Sequence, residues 1–239
     1  MKKFFEKYEP FFCILLIVLY LVSNSLCLQS FGSNDYRTAI VNTVLSLGLI
    51  GLIIGLKRTS YYGLTKVKDP KKFLFFIPLV LIVSVNIWNG ININHTYSEI
   101  IFHTLIMLNV GFIEEVVFRG FLFKMMARDN VKLAIVVSTI TFGIGHIINL
   151  FNGAEFIPTL MQIGYATALG YLFVIIFYKS KSLVPCIIAH SVNNSLSIFN
   201  VENKLSLYVV PVFLMIVPIL YAVYINKTVK EVSAKNVKI

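Results

Sequence analysis

Apolar residues run along this chain in long blocks, each closed by a short polar or basic segment. Eight blocks have the extent of helices: 11–28, 39–56, 73–90, 98–126, 131–149, 156–178, 183–200 and 205–225. A helix needs about 20 residues, within a range of roughly 17–25, to cross the hydrocarbon of a bilayer. The blocks lack the period-two alternation of strands, and an open sheet would leave backbone groups unpaired in lipid, so no sheet is expected. The blocks at 73–90 and 183–200 are the weakest, being short or interrupted by polar residues. The pattern predicts an all-α membrane protein with eight transmembrane helices.

Composition removes the soluble alternative. Hydrophobic residues make up 57% of the chain and charged residues 13%, with a mean hydropathy of +0.81. A soluble domain averages about 45–50% apolar and about 25% charged. Too few charges remain to cover a water-facing surface, and disorder is excluded on the same ground. The basic excess, 21 Lys and Arg against 11 Asp and Glu, points to loops beside a bilayer rather than to nucleic acid.

The distribution of those cations orients the layout. Lys2, Lys3 and Lys7 precede the first block. Lys57, Arg58, Lys66, Lys68, Lys71 and Lys72 follow the second. Lys124, Arg128 and Lys132 lie at the junction of the fourth and fifth, Lys179 and Lys181 between the sixth and seventh, and Lys227, Lys230, Lys235 and Lys238 after the last. Only Arg37 and Lys204 fall in the alternate set of loops, and Arg119 lies inside a block. By the positive-inside rule both termini are cytoplasmic.

The chain divides into residues 1–97, three helices with the basic 57–72 loop; 98–200, a core; and 201–239, the last helix with a basic tail. That loop reads as solvated and facing anionic lipid. Lys2-Lys3 ahead of an apolar run resembles a secretory signal, but Glu6 and Glu9 interrupt it and no A-x-A site follows, so the segment is read as a retained first helix. Cys13, Cys27 and Cys186 are isolated and odd in number, which argues against disulfides or a cysteine zinc site. Gly51 and Gly55 form a GxxxG that could serve as a packing face.

Chemistry enters with the ionisable residues inside the blocks. An Asp, Lys or Arg near the bilayer centre costs roughly 2.5–3.5 kcal/mol on insertion scales, so such groups face the bundle interior and find partners. The fourth block carries Glu114, Glu115 and Arg119 in GFIEEVVFRGFL. Glu115 and Arg119 are spaced for an i,i+4 pair, acid first. Glu114 is turned by about 100° from Glu115, so one carboxylate is neutralised while the other points elsewhere. The fifth block carries His146, with Phe142 one turn before it, in TFGIGHIIN. The seventh carries His190 and Asn194 on one stripe, in PCIIAHSVNNSL, with Ser191 and Asn193 turned away. A carboxylate with a His partner can deprotonate water. A second His and an Asn can donate to an oxyanion. A Glu114, His146, His190 set could also hold Zn²⁺ with an open position, although HExxH is absent.

Depth is a difficulty. Glu114 and His190 fall nearer the basic side, whereas His146 lies about 21 Å in from Lys132.

These strings resemble a family. Glu114 to Gly120 is similar to the EExxxR motif of the CPBP family, Phe142 to His146 to its FxxxH motif, and His190 to Asn194 to its HxxxN motif. This is the family of the type II CAAX prenyl endopeptidases and their bacterial, Abi-type relatives. The resemblance covers roughly residues 98–200. It implies an intramembrane endopeptidase, often labelled a metalloprotease, in which Glu114 and His146 activate water, His190 and Asn194 form the oxyanion site, and Glu115, Arg119 and Phe142 support them. It implies a membrane-associated substrate: a CAAX-like peptide, or a pheromone or bacteriocin precursor. A bacterial plasma membrane is the expected location.

Two other readings stand beside the protease. One is a non-catalytic immunity or scaffold protein with a polar core. The other is a small proton-coupled transporter, against which no inverted repeat is visible. No GxSxG and no GxGD occurs, and no Asp lies inside a block. Elsewhere, His103 is expected to bond locally with Glu99, His95 to lie in a solvated loop, and Trp88 and the tyrosines near span ends to act as interfacial anchors. Pro211 and Pro218 are expected to kink the last helix.

Overall fold

The computed structural model describes residues 2–231; Met1, Lys235, Lys238 and the rest of the expected tail lie outside the described residues. Among the described residues every regular element is helical. After a short leading helix, Lys2–Lys7, the principal helices are α1 (Glu9–Phe31), α2 (Tyr36–Gly55), α3 (Ile77–Val83), α4 (Tyr97–Glu114), α5 (Val131–Gly145), α6 (Phe156–Ser180), α7 (Val184–Leu196) and α8 (Val210–Thr228). α4 continues without a break through a π-helical stretch, Glu115–Phe123, and ends at Met126.

Six helical runs are long and apolar enough to cross a membrane: Glu9–Phe31, Tyr36–Gly55, Tyr97–Met126, Val131–Phe151, Phe156–Ser180 and Ser206–Thr228. The chain is an integral, multi-pass membrane protein. The two weak blocks depart from the expected eight full spans. Block 73–90 breaks into 3-10 turns, Pro70–Phe76 and Ser84–Ile87, around the 7-residue α3. Block 183–200 gives the 13-residue α7, which rises roughly 20 Å against a hydrocarbon core of roughly 30 Å. Polar residues explain the shortening. Asn86 Nδ2 donates to the Asn193 carbonyl and Asn193 Nδ2 to that of Ile82, so the two short segments satisfy each other inside the bundle.

Small residues set the closest helix contacts. A Cβ on Gly111 of α4 would lie 2.8 Å from the Ser191 amide nitrogen and 2.9 Å from its Cα on α7. A Cβ on Gly143 of α5 would meet Thr167 of α6. Gly51, by contrast, has nothing within 4 Å of the corresponding position, so it makes no close helix contact within the bundle. Pro211 sits in the first turn of α8, where its missing N–H costs nothing; only Pro218 lies inside that helix.

The basic end is sealed. In the 57–72 loop, Lys66, Lys68, Lys71 and Lys72 are exposed as expected, but Tyr62 is fully buried, its ring centroid 4.3 Å from that of Phe121. The Leu183 amide donates to Gly63 O at 2.8 Å, and Ser182 Oγ donates to Thr65 O. The loop is therefore a lid over α7 as well as a basic surface. Arg58 pairs with Glu6, and Arg128 with the buried Glu9, which ties the leading segment to the same end.

Gly111→Ala should push α4 and α7 apart and lower stability by about 1–3 kcal/mol, the usual cost of overpacking. Gly51→Ala should leave stability unchanged or slightly raised. Thermal unfolding of the two variants in detergent is the measurement.

Candidate active site

Arg119 is the largest fully buried side chain, set in the π-helical stretch. Its Nη1 donates to Glu115 Oε1 at 3.0 Å, both side chains being 0% exposed. Its guanidinium carbon lies 4.0 Å from the ring centroid of Phe142, a cation–π contact across to α5. Gly170 of α6 makes the space: a Cβ there would come within 3.2 Å of Arg119 Nη2 and 3.1 Å of the Phe142 ring. Ser138 Oγ donates to the Phe118 carbonyl at 2.9 Å, tying α5 to a π-helical carbonyl.

His190 enters between the two acids. Its Nδ1 lies 2.9 Å from Glu115 Oε1 and its Nε2 3.5 Å from Glu114 Oε2. Glu115 already carries the arginine's charge, so the tautomer that donates Nδ1–H to it satisfies that contact. As expected, Arg119 takes Glu115 while Glu114 points elsewhere, and the imidazole fits between the two diverging carboxylates, meeting one with each nitrogen. Phe142 packs edge-on and Phe173 tilted against the same ring, with centroids 5.7 and 5.9 Å away.

Glu114 is 9% exposed, unlike Glu115. Its Oε1 accepts from the Tyr20 hydroxyl at 2.5 Å. Tyr20 lies mid-way along α1, away from the span ends where tyrosines were expected as anchors, and the sequence singled out no role for it. The available signal was a hydroxyl in the middle of an apolar span, followed by Ser23, Asn24 and Ser25.

His146 follows the last turn of α5 with Nδ1 3.1 Å from the Phe142 carbonyl, which it satisfies as a donor, leaving Nε2 as a free base. Asn194 makes no side-chain hydrogen bond among the described residues. Its backbone carbonyl lies 3.3 Å from His103 Nε2. His103 is bonded to Asn34 and Ser197 rather than to Glu99, whose carboxylate closes a capping box with Thr96. His95 contacts Asn92 in the loop, and Trp88 donates to Ser84 and packs on Phe213.

A cavity of about 160 Å³ has Tyr20, Glu114, Phe142, His146 and Asn194 in its wall. A second, of about 250 Å³, shares Phe142, His146 and Asn194 and adds His190. The depth difficulty is thereby resolved. α7 starts recessed beneath the loop lid, and α5 is short enough to end at the level of Glu114.

Zinc fits this arrangement poorly. No group of three His, Cys, Asp or Glu among the described residues is arranged to hold a metal ion. Both His190 nitrogens face carboxylates, and His146 Nδ1 is used by Phe142.

Breaking the buried pair by Arg119→Ala leaves Glu115 as an uncompensated charge and should cost about 3–5 kcal/mol. The double change Glu115→Gln with Arg119→Met should cost less than Arg119→Ala alone, as read from denaturation midpoints of purified protein.

No curated protein and no solved structure matches the chain. A family model described as Type II CAAX prenyl endopeptidase Rce1-like matches residues 96–196. That stretch runs from the capping threonine of α4 to the end of α7 and contains Glu114, Glu115, Arg119, Phe142, His146, His190 and Asn194. The 96–196 stretch, whose three motifs meet around one site, is thus similar to the Rce1-like type II CAAX prenyl endopeptidases.

Proposed function

We propose that this protein is an intramembrane endopeptidase that hydrolyses a peptide bond with water activated by Glu114 and His146. The observation that carries the reading is the position of Glu114. It is buried, held by Tyr20, 3.5 Å from His190, and part of one cavity wall with His146 and Asn194.

In this reading the Glu114 carboxylate accepts a proton from water as its oxygen attacks the scissile carbonyl carbon. His146 Nε2 orients that water. The carbonyl π electrons move onto oxygen, and the oxyanion receives hydrogen bonds from the Asn194 amide and from Nε2–H of His190, which in this step carries a proton on each nitrogen, Nδ1–H staying on Glu115. When the tetrahedral adduct collapses, the C–N bond breaks and Glu114 returns its proton to the leaving amine. Glu115 and Arg119 hold the His190 ring, and Phe142 holds the arginine. Tyr20 is a positioning residue, fixing the Glu114 rotamer. Residues 98–200 form the catalytic core, to which α1 lends one hydroxyl.

The basic end faces the cytoplasm of a bacterial cell, with the weak blocks counted as two partial passes. The substrate is a membrane-associated peptide or protein.

The test compares membrane peptidomes of cells carrying the protein with cells carrying single variants. Glu114→Gln, His146→Ala and His190→Ala should each accumulate normally and abolish product peptides. Asn194→Ala should slow product formation by about 10²–10³, the loss typical of one oxyanion donor. Tyr20→Phe should lower kcat with KM unchanged. Products unchanged in the Glu114→Gln cells would overturn the reading. Loss of the folded protein in all variants would instead favour a structural polar core.

A further inference from the structure

The two ends of the bundle differ in access to the site. α1, α5 and α7 leave the basic end and α4 and α6 return to it, so the direction of any cavity can be read from the residue numbers in its wall. Beyond Glu114 the first cavity is walled by Asn24, Ser25 and Leu28 of α1, by Asn149 and Asn152 after α5, and by Gln162 near the start of α6. All lie toward the end opposite the lysines. The second cavity proceeds the same way, through Asn86 and Asn193 to Ser197. There it meets a wide depression of about 830 Å³, which shares Ser197 and includes Asn34, Asn92 and His95.

Toward the basic end, among the described residues, none of the cavities described is continuous with the site. Phe118, Phe121, Phe123, Tyr62, Phe177 and Leu183 are buried between Glu115 and the lysines. The one cavity described there, about 160 Å³ beside Lys124 and Lys181, shares no wall residue with those around the site.

The wall chemistry also differs. No lysine or arginine lines any of the three opening cavities. Among their polar side chains amides predominate, and the rim is closed by hydrogen bonds from Ser25 and Gln29 to Asn152 and from Asn149 to Gln162. A side-chain amide both donates and accepts, which matches the alternating groups of an extended peptide backbone. A free C-terminal carboxylate would find no cation to receive it.

We infer that the site opens on the extracytoplasmic side, and that its substrate is an internal, extended peptide segment presented on that face of the membrane. The inference rests on the protease reading for its chemistry and on the lysine distribution for the identity of the two faces. Water for hydrolysis arrives by the same amide-lined route, while the basic loops hold the closed end against anionic lipid.

Two measurements test it separately from catalysis. In a chain with Cys13, Cys27 and Cys186 replaced by Ala, single cysteines are placed at the rim (Asn152→Cys, Glu155→Cys) or in the basic loop (Lys71→Cys). Intact cells are then treated with a membrane-impermeant maleimide. The rim positions should label in intact cells and Lys71→Cys only after permeabilisation; the reverse pattern would overturn the inference whatever the activity. A randomised peptide library tethered to one transmembrane helix is then displayed on the outer or the inner face, with the protein or its Glu114→Gln form. Cleavage of outer-face members alone, lost in the variant, is the expected result. Cleavage of inner-face members would refute the inference while leaving the protease intact. Outward labelling with neither library cut would remove the protease reading and the substrate claim with it, leaving only the orientation.

Discussion

The buried pair of Glu115 and Arg119 is the constraint on which the rest of the core depends. Two charges taken out of water cost several kcal/mol each, and their attraction repays this only with good geometry and further partners. Here the geometry is a single 3.0 Å contact. The further partners come from two other helices: the face of Phe142 at 4.0 Å from the guanidinium carbon, and the His190 imidazole at 2.9 Å from the shared carboxylate oxygen. The three motifs are thus one network. EExxxR provides the ion pair, FxxxH the ring that covers the cation, and HxxxN the imidazole that completes the anion. Gly170 is the negative image of this cluster, a position where a methyl group would press on both the arginine and the ring.

The pair also sorts two adjacent acids into different tasks. Glu115 is fully buried and charge-matched, whereas Glu114 keeps some exposure and faces a cavity. A neutral donor, Tyr20, holds Glu114 without cancelling its charge. The difference lies in the partner, not the residue type: Glu115 meets a guanidinium, Glu114 a phenol. His190 stands between the two and joins the dry side of the cluster to the wet side.

Much of this was legible in the chain. The six long spans follow from block length and hydropathy, because lipid demands both and little else satisfies them. The i,i+4 spacing of Glu115 and Arg119 led to the observed contact. What sequence could not supply was rotation and depth. That His190 would sit between Glu114 and Glu115 was not legible, because an imidazole inserted between two helix positions is a tertiary fact. Tyr20 was missed because its partner lies 94 positions away. His103 was assigned to Glu99 by proximity, but Glu99 is taken by the helix cap, a local competitor that outranks a side chain one turn away. The two short segments were overextended because mutual amide bonds, invisible in a hydropathy profile, let polar residues end a helix inside the bundle.

The asymmetry of the bundle follows from the same pair. An ion pair this dry needs water kept away on its far side, and the aromatic layer of Phe118, Phe121 and Phe177 supplies that barrier together with the Tyr62 lid. With that end closed beside Glu115, the cavity described at Glu114 extends toward the other end. The amides of Asn149, Asn152 and Gln162 are the groups that can line such a route at modest cost, since they hydrogen-bond one another when the route is shut and water or peptide when it is open. A charged lining would have met Glu114 directly and competed for its carboxylate. Closing one end and lining the other with neutral amides lets a single helix hold a sealed ion pair and a water-accessible acid at consecutive positions.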